Sequence, residues 1–378
     1  MSLKKFAKIF IPLLFLTAII LGLLQREETT TYDSKSNQSI GDKSLVDYFN
    51  TAQELAQDKE PQITKATFLA VGDIMLSRNV AGTIKKANDP LLPFRMMDNI
   101  FKSVDFSFGN LESPFSGKDT FNPTGSLVFN APRDNIKGLV ENKFKILNLA
   151  NNHALDQGID GLEYTLKYLD ENGIKHVGAG RSWAQAYGAE IIDIKDLKIG
   201  FYGASYASIN DGGKTSNEYV ARIEDLENLK SSIQNLKSNS DFIVVTMHAG
   251  TEYTRKPNQA QIDFAHATID AGADMVIGAH PHWVQTIEKY QDKYIFYSLG
   301  NFIFDQEWSQ ETKEGLTLKI QVSKNQESNL QGPKTPAKLD SIELIPVIIE
   351  NYSTPRPATE EETKRILEKI GQTEKILK

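Results

Sequence analysis

Six histidines are spread over the 378 residues, and four of them sit where a cation could use them. His153 ends the run Asn-Leu-Ala-Asn-Asn-His. His248 closes the apolar run Asp-Phe-Ile-Val-Val-Thr-Met-His, and His280 and His282 form a His-Pro-His pair just after Met275–Ile277. Asp73 follows Ala-Thr-Phe-Leu-Ala-Val-Gly, and Glu112 ends Gly-Asn-Leu-Glu. In each case an apolar, strand-like run leads directly into a residue that can bind a cation. Open α/β sheets place their sites at the carboxyl ends of strands, so the pattern predicts a metal centre. Carboxylate, amide and imidazole donors from Asp73, Glu112, Asn152, His248, His280 and His282 suit one or two divalent ions of the Mn, Fe or Zn type. Two such ions about 3.5–4 Å apart clamp a tetrahedral phosphoryl-like centre and make hydroxide from water near neutral pH. His153, beside Asn152 rather than in its place, is left to protonate a leaving group.

Taken singly, these residues have plainer uses. Asp73 could cap a turn, Asn151 and Asn152 could form one, and His248 could be structural. The alternate placement of His280 and His282 past a strand is the stronger signal, and the joint pattern is stronger still. His176 and His266 lack such settings. Three further loop residues could line the site: Arg78 to steer an anionic substrate, and Asn301 and Asp305 past the strand ending at Tyr297. Glu252 is placed to orient His248 from behind.

The elements that must position these residues alternate. Strand-like runs at 67–71, 106–108, 146–149, 176–177, 190–194, 198–202, 242–247, 275–277 and 294–297 are interleaved with helical patterns at 93–101, 134–142, 161–172, 223–238 and 258–271. That order predicts an α/β fold with a mixed or largely parallel sheet. Gly173 and Gly272 are placed to end two of the helices. Past Phe304, Gly315–Val322 and Leu339–Ile349 alternate like antiparallel strands joined by a polar loop from 323 to 338. Thr359 and Glu362 have capping-box spacing and open a charged amphipathic helix expected to reach Leu377.

Composition bounds the function. A formal charge of -7 argues against nucleic acid as a partner, and the chain has no cysteine for disulfides, thiolate zinc sites, a thiol nucleophile or lipidation. Lys4, Lys5 and Lys8 precede an apolar stretch from Ile9 to Leu24, and Arg26, Glu27 and Glu28 follow it. This predicts a transmembrane helix with the N-terminus in the cytoplasm and the remainder outside the cell membrane. No small-x-small cleavage site follows Leu24, which favours a retained anchor. The expected organisation is a cytoplasmic stub and anchor over 1–25, a polar stalk over 26–62, one domain over 63–350 and a helical tail over 351–378.

The series Gly72-Asp-Ile-Met-Leu-Ser-Arg78, Gly109-Asn-Leu-Glu-Ser-Pro114, Leu149-Ala-Asn-Asn-His-Ala-Leu-Asp156, His248-Ala-Gly-Thr-Glu-Tyr253, Gly278-Ala-His-Pro-His282 and Tyr297-Ser-Leu-Gly-Asn-Phe-Ile-Phe-Asp305 resembles the CapA/PgsA family of bacterial capsule and poly-γ-glutamate synthesis proteins. The resemblance runs in order from about Ala66 to Trp308. It implies a membrane-anchored extracellular protein and a branch of the calcineurin-like metallophosphoesterases, with a four-layer α/β/β/α sandwich and a dinuclear metal site. By the same resemblance Asp73 and His282 bind one metal, Asn152, His248 and His280 bind the other, and His153 is the acid. Two positions depart from the superfamily pattern. Met75 stands where Asp-x-His would put an imidazole, and Asn110 replaces a bridging Asp, with Glu112 as the nearest substitute. A neutral bridge offsets the repulsion of two dications poorly, so one ion or a weakly held pair is expected. Asn110 is then freed to contact substrate.

The expected function is metal-dependent hydrolysis of a phosphoester or amide-like bond in the synthesis or export of an anionic extracellular polymer such as poly-γ-glutamate. The alternatives are a non-catalytic accessory subunit that binds the polymer or the membrane subunits of a capsule synthase, and a secreted phosphoesterase unrelated to capsule.

Overall fold

The structure, a computed structural model, describes residues 63–378 except 124, 209, 211–212 and 326–335. The expected anchor and stalk and most of the loop expected at 323–338 lie outside the described residues. Among the described residues no helix is long and apolar enough to cross a membrane.

In chain order the first half holds β1 (Ile63–Ile74), α1 (Arg78–Ala87), α2 (Asp98–Lys102), β2 (Phe106–Leu111), α3 (Ile136–Glu141), β3 (Phe144–Asn148), α4 (Gly158–Glu171), β4 (Lys175–Val177) and α5 (Trp183–Ala186). Next come β5 (Glu190–Ile194), β6 (Leu197–Ser205), α6 (Leu226–Asn239), β7 (Phe242–His248), α7 (Gln259–Ala271), β8 (Met275–Ala279), β9 (Ile287–Tyr290) and β10 (Lys293–Phe296). The chain closes with β11 (Asn301–Ile303), α8 (Gln310–Lys313), β12 (Glu314–Asn325), β13 (Lys338–Glu350), β14 (Thr354–Pro357), α9 (Glu360–Lys369) and β15 (Ile376–Leu377).

These strands form two mixed sheets. One runs β14-β13-β12-β1-β2-β3-β4, with β11 beside β1 and β15 beside β13; the other runs β5-β6-β7-β8-β10-β9. Successive side chains of a strand point to opposite faces, and β1 shows what this does to the packing. Phe68 and Ala70 enter the core between the sheets, where Phe68 stacks on Phe106 at 5.1 Å and meets the edge of Phe201. Leu69 and Val71 enter a second core under α1, α3 and α4, contributed by Val80, Ile84, Leu139, Leu162 and Leu166. On the far side Ile243, Val245 and Met247 of β7 pack against Leu229 and Ile233 of α6 and Phe264 and Ile269 of α7. Three buried cores thus separate four layers, helix, sheet, sheet and helix. That is the layering the resemblance implied.

Helix α7 is fixed at both ends: Asn258 and Gln261 form a reciprocal capping box, and Gly272 ends it at φ 111°. The Thr359–Glu362 box likewise starts α9. The tail, however, is not one helix to Leu377. It stops at Lys369, Gly371 takes φ 74°, and Ile376–Leu377 adds a short strand against β13 at Ile342 and Glu343. With β14 also paired to β13, residues 351–378 complete the first sheet rather than hanging from it.

Candidate metal centre

Strand register gathers the chemistry. Asn301, Asp73, Asn110 and Asn148 lie side by side across β11, β1, β2 and β3. Ser205, His248 and Ala279 form the matching row across β6, β7 and β8. Glu112 follows β2, Asn152 and His153 follow β3, and His280 and His282 follow β8, so every donor stands where a parallel strand ends. Close strand approach is part of the design. A Cβ on Gly72 would lie 1.9 Å from the carbonyl oxygen of Gly300, which accepts the Asp73 N–H at 3.0 Å, so only glycine lets β1 and β11 meet there.

The donor atoms fall into two groups with Asp73 between them. In one, His248 Nε2 lies 2.7 Å from Asn152 Oδ1 and 3.1 Å from His280 Nδ1. In the other, His282 Nδ1 is 3.6 Å from Asp73 Oδ2 and its Nε2 is 3.9 Å from Glu112 Oε1. Asp73 Oδ1 reaches back to within 3.9 Å of His248 Nδ1. One atom each of Asp73, Glu112 and His248 lies within 4.8 Å of the other two. His153 stands at the rim of the second group, its Nε2 3.8 Å from Glu112 Oε1 and its Nδ1 2.8 Å from Asp156 Oδ2.

All of these side chains are buried. Burial pushes Asp73 up to about 7, and burial together with the Asp73 charge pushes Glu112 well above the usual carboxylate range. Burial also holds His248 and His280 well below the ordinary imidazole value and brings His282 down to about 4. The result is two carboxylates that resist ionising together, facing imidazoles kept neutral with lone pairs to offer. Both oxygens of Glu112 are buried with no hydrogen-bond partner. A buried carboxylate without a donor is costly, and a divalent cation supplies what this set lacks while reversing the cost of ionising both acids. The residues fit a cation.

The backbone is strained at the same place. His280, His282, Tyr253 and Arg78 take φ values of 99°, 57°, 61° and 45°. Each costs of order 1–3 kcal/mol and persists only because its surroundings over-determine it.

Asp73, Glu112, Asn152, His153, His248, His280 and His282 are therefore brought together. Five other candidates, Asn110, Asn301, Arg78, Asp305 and Glu252, stand in settings the sequence did not show. Asn110 has no group free for substrate: its Nδ2 donates to Asp73 Oδ1 at 2.8 Å and lies beside His248 Nδ1, while its Oδ1 accepts from Asn148 and Asn151. Asn301 instead fixes His282, holding Nδ1 at 2.9 Å and donating to the Thr312 carbonyl. Arg78 is buried in an ion pair with Asp305, which also accepts the Asn79 N–H, so Asp305 holds an arginine rather than a metal ligand. Glu252 is exposed, and the ring nitrogens of His248 find their partners in Asn152, His280, Asn110 and Asp73 instead. Met75 is buried in the helix-side core, with its sulfur accepting the Ser77 N–H.

Asp156, Asn148 and Asn151 were not foreseen. Asp156 had a signal, a carboxylate three residues past His153 in one turn. The two asparagines had none, because their partner Asn110 is on another strand.

Residues 67–306 match the profile of the family described as bacterial capsule synthesis protein PGA_cap. This chain belongs to that family. Among PGA_cap-related proteins it is 30% identical to the capsule biosynthesis protein CapA of Bacillus anthracis, over 81% of this chain and 73% of that one. It is 32% identical to the PGA biosynthesis protein CapA of Bacillus subtilis (strain 168), over 74% of this chain and 76% of that one. Solved structures overlap more loosely. A 5'-nucleotidase precursor from Thermus thermophilus gives a TM-score of 0.45 at 12% identity, over 77% of this chain and 56% of that one. The NAD nucleotidase of Haemophilus influenzae gives 0.44 at 10%, over 83% and 57%.

Proposed function

We propose that this protein is a membrane-anchored, metal-dependent hydrolase of the metallophosphoesterase type, with its domain outside the cell, serving synthesis or export of an anionic extracellular polymer such as poly-γ-glutamate or a capsule. The single observation that carries the catalytic part is Glu112, a buried carboxylate with both oxygens unpartnered, set among Asp73 and the neutral imidazoles. Membership in a capsule synthesis family supports the polymer, and the basic and apolar N-terminal run supports the anchor.

Asp73, Glu112, Asn152, His248, His280 and His282 would hold one or two divalent ions of the Mn, Fe or Zn type. When bound, such an ion supplies Lewis acidity toward the substrate oxyanion and makes water more acidic. The remaining work belongs to the chain. Asp156 holds Nδ1 of His153 and so aims Nε2 at Glu112. The water oxygen bonds to phosphorus and gives up one proton to solvent, the ester P–O bond breaks with its electron pair going to the leaving oxygen, and protonated His153 gives its Nε2 proton to that oxygen. At an amide-like bond the same proton goes to the leaving nitrogen. Phe129, stacked on the His153 ring with centroids 4.0 Å apart, shields one face from water.

A second reading is favoured by Asn110 and Met75. A neutral amide at the centre of the cluster and a thioether turned into the core leave fewer anionic and imidazole donors than a tightly held ion pair uses. In this reading the domain is an accessory subunit that binds the polymer or the membrane subunits of a synthase.

Metal content and phosphodiesterase turnover of the full chain, beside His153→Ala, separate the two. The expected result is bound transition metal in both proteins and turnover lowered roughly a hundredfold or more in the variant, the scale of a general acid. Metal-loaded wild type without turnover leaves the accessory reading standing alone.

A further inference from the structure

We propose that Arg78 is a positioning residue for His153, acting through the segment 115–131 that it straps against the site. The inference rests on the reading of His153 as the proton donor, and adds to it the device that holds the donor still.

The described residues of the segment, all but 124, run without helix or strand apart from the bridge that joins its two ends. Its base is closed by a single bridge between Phe115 and Ala131 and by the Asn130 N–H on Ser77 Oγ at 3.1 Å. Near its tip, Arg78 Nη1 donates to the Ser126 carbonyl at 3.0 Å. The other arm of the same guanidinium is anchored by Asp305. The guanidinium carbon lies over the Phe129 ring at 4.8 Å from its centroid and over the Phe304 ring at 5.6 Å. Phe129 in turn lies on His153, with ring centroids 4.0 Å apart at 23°. Arginine, phenylalanine and imidazole thus form one stack.

The stack and the proton donor share an atom. Oδ2 of Asp156 accepts the Phe129 N–H at 2.5 Å and holds His153 Nδ1 at 2.8 Å. Gln157 Nε2 donates to the Phe129 carbonyl at 2.8 Å, so Asp156 and the residue after it are both committed to the same segment. Displacing Phe129 therefore removes the ring behind His153 and one of the two donors that fix the Asp156 carboxylate. Lysine cannot replace Arg78 here. A point charge cannot pair with Asp305, donate to Ser126 and cover two rings at once, whereas a planar fork can. The left-handed φ at Arg78 fits this role, since the strained residue is the one whose placement sets the stack.

The test compares two esters on the metal-loaded full chain: p-nitrophenyl phosphate, whose leaving group departs without a proton, and glycerol phosphate, whose alkoxide needs one. In Arg78→Lys and in Phe129→Leu, kcat for the alkyl ester should fall about tenfold or more, with KM and metal content little changed and the aryl ester nearly unaffected. Phe129→Tyr keeps the stack and should restore the alkyl rate. A merely structural role would lower both esters together, and equal losses on the two esters in Arg78→Lys and Phe129→Leu overturn the proposal. His153→Ala, run in parallel, tells the two failures apart. If it spares the aryl ester while Arg78→Lys does not, only the strap is wrong. If His153→Ala slows both esters alike, or wild type turns over neither, the assignment of His153 fails and the strap falls with it.

Discussion

Glu112 and Glu314 are both withdrawn from solvent, and the molecule treats them in opposite ways. Glu314, the first residue of β12, receives Lys369 Nζ at 2.8 and 3.0 Å and Arg365 at 3.2 Å, with Arg255 3.6 Å away. It binds α9 to the sheet and to the loop after β7. The carboxylate oxygens of Glu112 have no hydrogen-bond partner, and the imidazoles of His153 and His282 stand 3.8 and 3.9 Å from Oε1. The contrast separates a structural acid from a functional one. A buried charge is tolerated when the fold supplies its counter-charges, and a site is where the fold withholds them.

The largest effects should come from exchanging these two acids for amides. Glu112→Gln should lose bound metal and lower turnover roughly a thousandfold, the several kcal/mol a metal ion contributes, while the metal-free protein melts no earlier than wild type. Glu314→Gln should behave the other way round, keeping metal and turnover but losing about 3 kcal/mol of stability in urea, since it removes the buried acid that Lys369, Arg365 and Arg255 share and leaves Lys369 and Arg255 only Glu311. Parallel losses of metal in both variants would erase the distinction.

A smaller effect is expected from adding an acid to the centre. Asn110→Asp places a third carboxylate between Asp73 and His248, which should raise the metal stoichiometry toward two. With chelator present the same change should destabilise the protein by about 1–3 kcal/mol, because like charges then crowd a buried space. Metal analysis and melting with and without chelator read both halves, and unchanged stoichiometry would mean that the neutral bridge is not what limits the site.

The smallest effect concerns the C-terminal segment. The Arg356 guanidinium beside Glu362 brings its carboxyl from an ordinary 4.5 down to about 2. A carboxyl lowered on folding stabilises the fold fully above its unfolded value and ceases to do so as pH falls through the folded one. The gap in stability between wild type and Arg356→Gln should thus be constant above about pH 4.5 and close toward pH 2. For a partly exposed pair it should amount to less than about 1 kcal/mol. A gap that persists unchanged at pH 2 would assign the effect of Arg356 to packing.

Much of the frame was legible before any coordinates. Apolar runs at Thr67–Val71 and Phe242–Met247 marked core strands, and the Thr359–Glu362 capping box and Gly272 marked helix ends, because these signals depend on neighbours a few residues apart. Helix α1 was missed because Arg78 and the residues after it read as loop, with a glycine at position 82 and few apolar residues to mark a face. The three-residue strand at Asn301–Ile303 was missed as well, being too short to show a period and resting on the close approach to β1 that Gly72 permits.

By itself the sequence determined which residues could donate to a cation and that each would follow a strand, since residue type and local hydrophobic period are properties of the chain alone. Tertiary structure decided the tasks. Asn110 meets His248 across 138 positions, Arg78 meets Asp305 across 227, and Asn301 turns from a prospective substrate contact into the support of His282. The physical reason is that a polar group takes whatever partner burial leaves within reach, and that choice depends on how strands register and sheets stack, which no local spacing encodes.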